Sequence, residues 1–137
     1  METEGQFSPT TAAAARERYE ALGSTAQVVV KEVAKAMELD AEAYRERVTG
    51  EVVQTARDVL FAESLAVTVG THEEFEAWRT ETDHDVDVIG ADNVDNVAWH
   101  APAFADEAVA ATFQSERDAA VGTLRRQAFG RIYSEVV

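Results

Sequence analysis

The chain of 137 residues carries 26 Asp plus Glu against 12 Lys plus Arg, a formal net charge of −14, and no cysteine. Without cysteine there are no disulfides, thiolate metal sites or cysteine nucleophiles, and an acidic balance of this size disfavours a phosphate-binding surface. Leu, Ile, Val and Phe still supply 31 residues, above the roughly one-fifth level below which disorder is expected, so the composition predicts a folded chain.

Ser8-Pro9 offers a cap followed by a proline at the first helical position, with Phe7 placed as a hydrophobic staple; this predicts a first helix running to about Leu22. Gly23 reads as its stop, and Ser24 with Gln27 reads as a capping box for a second helix to about Glu38. Ala26, Val29, Val30, Val33, Ala34 and Met37 form one stripe at helical spacing. So many valines lower the intrinsic propensity, and the helix is expected to need tertiary burial. Asp40 caps a short third helix, Ala41 to Val48. A fourth follows Thr49-Gly50, with Val52, Val53, Ala56, Val59 and Leu60 on one expected buried face.

The period then changes from helical to alternating. Leu65 to Val69 reads as a strand, and Thr71 with Glu74 as a capping box for a helix carrying Phe75 and Trp78. Asp85-Val86-Asp87-Val88-Ile89 alternates acids with apolar residues and reads as a second strand with one face in water. Val97 to His100 and Ala108 to Phe113 read as a third and fourth strand. Ser115 with Asp118 is expected to cap a last helix whose inner side holds Ala120, Val121, Leu124, Ala128, Phe129 and Ile132. Val67 to Phe75 and Ala111 to Ala119 both run from strand end through a hydroxyl and a carboxylate into a helix, one junction solved twice by the same capping chemistry.

The predicted fold class is α+β: an amino-terminal helical layer followed by a small, mainly antiparallel sheet covered by helices. The helices starting at Thr71 and Ser115 are expected on one sheet face, with the other solvated. Residues 1–137 are read as a single domain, with a helical half over about 8–64 and a strand-and-helix half over about 65–137.

The charge is segmented along this plan. Residues 1–64 carry twelve acids and seven bases, residues 65–113 eleven and one, and residues 114–137 three and four. Ten of the twelve bases are arginine, only Lys31 and Lys35 being lysine. Excess carboxylate, few lysines, abundant Ala and Val and only two Ile describe a chain kept soluble in concentrated salt. There the Debye length falls to about 3 Å at 1 M and self-repulsion is screened. The start, Met1-Glu2-Thr3-Glu4, is acidic where a secretory signal is basic, and no apolar run approaches the roughly 18 residues of a membrane span. A cytoplasmic location is expected.

No catalytic, cofactor-binding or metal-ligating residue is assigned. His72, His84 and His100, with Glu73, Glu74, Asp83, Asp85 and Asp95 around them, have the ingredients of a metal site but not the spacing, since no HxH or HExxH pair is present. No GxSxG, GxGxxG or GxxxxGK[ST] pattern occurs. Val33 to Asp40 and the helix after it resemble a helix-turn-helix. However, Glu38 stands where the turn glycine belongs, and Glu42 and Glu46 cancel Arg45 and Arg47. Arg125-Arg126, with Arg117 and Arg131, is the one basic concentration and is expected to pair with the chain's own carboxylates. Trp99, His100, Ala101 and Pro102 with Phe104 form the most distinctive apolar group outside the helices, read first as core and otherwise as a partner-binding spot.

Three runs, Thr25 to Met37, Asn96 to His100 and Leu124 to Gly130, together resemble a small family from salt-loving archaea whose function is not known. The likeness covers nearly the whole chain and implies habitat and a one-domain architecture, with no active residue to carry over. The reading is a soluble, non-catalytic interaction or accessory protein of a high-salt cytoplasm, with contact expected near Trp99. Its partner is another protein or a second copy; no cofactor, membrane or nucleic acid is expected. The alternatives are a small hydrolytic or metal-assisted enzyme using His84, Asp85 or His100, and a nucleic-acid-associated regulator using the helical half.

Overall fold

A computed structural model describes residues 1–137. A short strand β1 (Glu2–Glu4) precedes four helices, α1 (Ala12–Ala21), α2 (Gly23–Ala36), α3 (Ala41–Arg47) and α4 (Gly50–Glu63). Then come β2 (Val67–Thr71), α5 (His72–Glu81), β3 (Asp85–Ile89), β4 (Asn96–His100), β5 (Glu107–Phe113) and α6 (Arg117–Ala128), which runs into a π-helical turn, Phe129–Tyr133. The strands form one sheet in the order β1-β2-β4-β5-β3. Every pairing is antiparallel except β3 with β5, so the α+β class and the mainly antiparallel sheet hold while the sheet is mixed.

The expected order of helical layer first and sheet second is corrected by β1. Glu2, Thr3 and Glu4 pair with Val69, Thr68 and Val67, so the sheet has a strand on either side of the helical segment. Arg117 holds this strand from below: its Nη2 lies 2.7 Å from Glu2 and its Nε 2.9 Å from Glu4. Gly5 follows in the left-handed region, φ +82, where a Cβ would come within 2.5 Å of the Leu65 carbonyl oxygen. Only glycine passes there without strain.

The first helix starts later than Ser8-Pro9. Thr11 is the cap, its side chain accepting from the Ala14 N–H at 3.0 Å. Pro9 is buried, and Phe7 leaves the helix altogether to bridge Leu65 and set its ring edge-on to Phe61 at 5.6 Å. Gly23 is no stop either. Leu22 remains right-handed and carries the chain straight into α2, so the Ser24–Gln27 box does not form. At Thr71 the expected reciprocal box is present and at Asp40 the expected cap is made, while Thr49, read as part of the stop of the third helix, caps α4 through its side chain. At α6 the cap residue is Glu116, without a side-chain bond, so Ser115 and Asp118 do not act as predicted.

The sheet is covered on both faces, which corrects the expectation of a solvated side. Pleating sends Val67, Val69, Ala98, Val109 and Ala111 to one face, where they meet Ala15 of α1, Phe61 of α4, and Val121, Leu124 and Ala128 of α6. Val97, Trp99 and Ala110 point the other way and meet Phe75 and Trp78 of α5, with Val86 and Val88 beside them. The helices beginning near Thr71 and Ser115 therefore lie on opposite faces. Phe61 is the hub of the larger core, with the rings of Phe7, Tyr19, Phe129 and Tyr133 edge-on around it.

One end of the helical segment escapes this core. The carboxyl-terminal turns of α4 enter it through Phe61 and Ala62, whereas α3 buries nothing. On α2 the buried residues are Ala26, Val30 and Ala34 alone, and on α4 Val59 is half exposed. The predicted faces of both helices were thus too wide: Val29, Val33 and Met37 on α2, and Val52 and Val59 on α4, stand in water. No helix is long and apolar enough to cross a membrane.

Candidate functional site

The three histidines are placed apart, each with its own local partners. On α5, His72 sets its Nε2 3.5 Å from the Glu76 carboxylate, and its Nδ1 is buried without a partner. His84 sits between α5 and β3, with Nε2 3.0 Å from the Pro102 carbonyl and Nδ1 3.0 Å from the Thr82 hydroxyl. A carbonyl only accepts, so Nε2 carries the proton and Nδ1 accepts from Thr82. Asp85 is exposed at the start of edge strand β3.

His100 belongs to the larger core rather than to a cleft. Its Nδ1–H donates to the Ala66 carbonyl at 2.6 Å, which leaves Nε2 to accept from the Tyr133 hydroxyl at 2.7 Å. Burial pulls its pKa down from 6.5 to about 4, with the Arg125 guanidinium adding repulsion. Burial also pushes the Tyr133 hydroxyl well above its usual range. The pair is neutral and fully bonded, a strut between β4 and the π-helical turn. No group of three His, Asp or Glu side chains meets closely enough to hold a metal ion. His84, Asp85 and His100, the residues of the enzyme alternative, share no cleft lining with one another among the larger clefts.

A shallow cleft of about 440 Å³ lies where β3 and β5 end and α6 begins. Thr112, Gln114, Ser115 and Thr123 supply its polar atoms, and Glu116 is its one ionisable lining residue. The Thr112 hydroxyl is engaged with the Ile89 carbonyl. This cleft pairs no nucleophile with a base. A second cleft, beside the α1–α2 junction, is closed on one side by Arg57, whose Nε donates to the Tyr19 carbonyl at 2.7 Å. The Arg57 guanidinium also lies over the Tyr19 ring at 4.2 Å, and the ring's hydroxyl donates to Asp58 at 2.6 Å. Burial and Asp58 raise the Tyr19 pKa to about 12. These contacts lock the last turn of α1 to α4.

Three of the four arginines near the carboxyl end go to separate partners. Arg117 holds β1, Arg131 pairs with Asp87 at 3.0 Å, and Arg125 is largely buried with its Nε on the Leu65 carbonyl. Trp99 takes its core reading, and the contact expected near it is corrected. Trp99 is 4% exposed, stacked on Trp78 at 5.5 Å and tilted against Phe75 at 5.4 Å. It is the centre of the smaller core because strand β4 is covered on both faces.

The exposed apolar surface lies elsewhere. Of the eight large apolar side chains exposed on this molecule, seven fall between residues 28 and 59: Val28, Val29, Val33, Met37, Tyr44, Val52 and Val59; the other is Met1. Val30, Val33, Met37, Leu39, Val48 and Val52 line a narrow groove between the end of α2 and the start of α4, with Arg47 at its rim. Residues 28–59 carry seven acids and five bases, so the hairpin is nearly neutral on an otherwise strongly acidic chain. Glu38 closes α2 with φ 56, the left-handed turn that favours glycine, in which a glutamate is strained. A left-handed residue thus separates α2 from α3, and α3 offers phosphate no net positive charge.

A family model described as "Family of unknown function (DUF5809)" matches residues 6–134. The chain belongs to that family. The match takes in the helical hairpin, the sheet from β2 onward and α6. No curated protein and no solved structure matches the chain.

The hairpin residues were visible in the sequence as an apolar stripe but were assigned to the core. Helical spacing shows which side chains share a face and not what covers that face. The available signal was count: two 14-residue helices carried more apolar residues than one neighbouring layer could bury.

Proposed function

We propose that this protein is a soluble, non-catalytic interaction or accessory protein, folded as one domain over residues 1–137 and working in the salt-rich cytoplasm of a halophilic cell. Its contact surface is the outer face of the α2–α4 hairpin. The observation that carries this reading is the concentration of seven of the eight large exposed apolar side chains on that one protrusion. Scattered apolar residues are normal on a protein surface, whereas Val33, Met37 and Val52, exposed around one groove on an otherwise acidic chain, support a place of contact. The excess of carboxylates and the preference for arginine over lysine support the salt-rich setting.

A photo-crosslinking residue in place of Val33, compared with one in place of the exposed Thr80 on α5, tests the reading in cells at native salt. Crosslinked species are expected from position 33 and not from position 80. A hairpin that yields none, while the control does, refutes the assignment.

A further inference from the structure

The cleft beside the α1–α2 junction runs between two helical faces. Gly50, Gln54 and Arg57 form its wall on α4, and Tyr19, Gly23 and Gln27 its wall on α1 and α2, each set spaced by steps of one helical turn. Its volume is about 350 Å³, and it shares no lining residue with the apolar groove of the hairpin. We infer that this cleft binds a small organic carboxylate, held end-on by the Arg57 guanidinium with the Gln27 and Gln54 amides beside it.

The first argument is an imbalance of charge. Of the twelve Lys and Arg residues, only Arg57, Arg117 and Arg125 are partly buried, the others being exposed. Arg117 meets Glu2 and Glu4, and Arg125 meets Glu63. Arg57 forms no ion pair, on a chain with 26 acids. Its neighbour Asp58 is turned to the Tyr19 hydroxyl, 2.6 Å away, and no acid lines the cleft. Taking a guanidinium partly out of water without an anion is costly. An anion entering here meets one full positive charge and no carboxylate on the walls.

The second argument is the fixed posture of that charge. The Arg57 Nε is spent on the Tyr19 carbonyl at 2.7 Å, and the guanidinium carbon lies 4.2 Å from the centre of the Tyr19 ring. At Gly23 a Cβ would come within 3.4 Å of the guanidinium carbon and Nη2, so glycine lets the group lie close against the helix. A guanidinium already stacked and bonded has little freedom left to lose on binding. Nη1 and Nη2 make no hydrogen bond within the chain, and they are the end-on pair that matches the two oxygens of a carboxylate. Gln27 is exposed with no hydrogen bond of its own, and Gln54 reaches the Tyr19 hydroxyl beside it. The volume stands near the lower limit of small-molecule pockets, about 300 Å³. One guanidinium balances a monoanion, whereas a phosphate dianion brings a second negative charge to a chain already at −14.

Carbon-detected NMR of the arginine guanidiniums and glutamine amides in the full chain tests the inference, slightly above neutral pH where inorganic phosphate is mainly a dianion. Acetate replaces chloride stepwise at a constant ionic strength of about 1 M. The Arg57, Gln27 and Gln54 signals are expected to shift together and to saturate with a midpoint of about 0.1 M or below, while the exposed Arg126 moves little. Arg57→Lys keeps the charge, loses the fork, and is expected to weaken acetate at least about 10-fold, read at Gln54. That change also breaks the bond to the Tyr19 carbonyl. Gln27→Glu leaves it intact and sets a carboxylate of the chain's own in the cleft; it too is expected to weaken acetate at least about 10-fold, with the β4 and β5 amide signals unmoved. Signals that stay still as acetate replaces chloride overturn the inference, as do shifts that grow without saturating or that Arg126 matches. Acetate binding unchanged in either variant overturns it too, and phosphate binding tighter than acetate overturns the assignment to a carboxylate.

Discussion

Replacing Phe61 by alanine puts the packing of α4 to a quantitative test against its neighbour Val59. Phe61 has no exposed surface and is ringed edge-on by Phe7, Tyr19, Phe129 and Tyr133 at 5.6, 6.0, 5.7 and 5.0 Å. Phe to Ala in a packed core costs about 3–5 kcal/mol. Losing four aromatic contacts together, each worth about 0.5–1.5 kcal/mol in isolation, places this site at the upper end, about 4–5 kcal/mol. That is a third or more of the about 5–15 kcal/mol that holds a typical domain together, and a fall in melting temperature of roughly 10–20 °C. Val59→Ala behaves differently. The side chain is 50% exposed, so the lost burial of about 0.5 kcal/mol is offset by a gain of about 0.5 kcal/mol in helix propensity. Urea unfolding in high salt, at protein concentrations below any self-association, reads both. The sequence periodicity alone places Val59 on the buried face and makes its truncation costly. A Val59→Ala loss equal to or greater than that of Phe61→Ala would show α4 rotated about its axis and refute the packing described above.

Three further outcomes follow from particular contacts. His100 titrates near 6.5 when unfolded and near 4 when folded, so the unfolded chain takes up the proton first as pH falls. Stability is therefore full above about pH 6.5 and is lost between there and about pH 4, by up to about 3 kcal/mol; His100→Gln is expected to flatten that part of the pH–stability curve. Glu38→Gly relieves a left-handed glutamate at φ 56, and after the added unfolded-state entropy is subtracted a gain of about 0.5–1 kcal/mol in urea unfolding is expected. Arg117→Met releases both Glu2 and Glu4. Hydrogen exchange at the β1 amides is expected to quicken while β4 and β5 amides keep their protection, and in the parent chain added salt is expected to have a weaker effect of the same sign.

Where local chemistry decides structure, the sequence was readable. The strands at Asp85–Ile89 and Val97 to His100 are found within a residue, because alternation is a period-two signal that neighbours reinforce. The Thr71–Glu74 box and the cap at Asp40 are self-contained within one turn and form as expected. What was not readable depends on distant partners. Glu2-Thr3-Glu4 has no strand signature of its own, and it becomes a strand because β2 has a free edge and Arg117, 113 residues away, neutralises its carboxylates. Val86 and Val88 alternate with acids as a half-solvated strand should, yet their face is covered by α5, and Asp87 turns to Arg131. The candidate site was misread for the same reason. Val33 and Met37 obey the spacing of a buried stripe, and only the position of the neighbouring layers shows that they are left about half exposed.

The four amino-terminal helices leave the sheet after β1 and return to it at β2, and these two strands are adjacent and antiparallel. The helical segment is in topological terms one long excursion at the tip of a strand pair, anchored at its base by Ala15, Phe61 and Ala62 and free at its far end. An attachment of this kind can be lengthened, shortened or resurfaced beyond the Tyr19–Arg57 clasp without touching the hydrogen-bonded framework beneath it. Variation among proteins of this architecture is accordingly expected to gather at the apex, where a new surface costs the framework little.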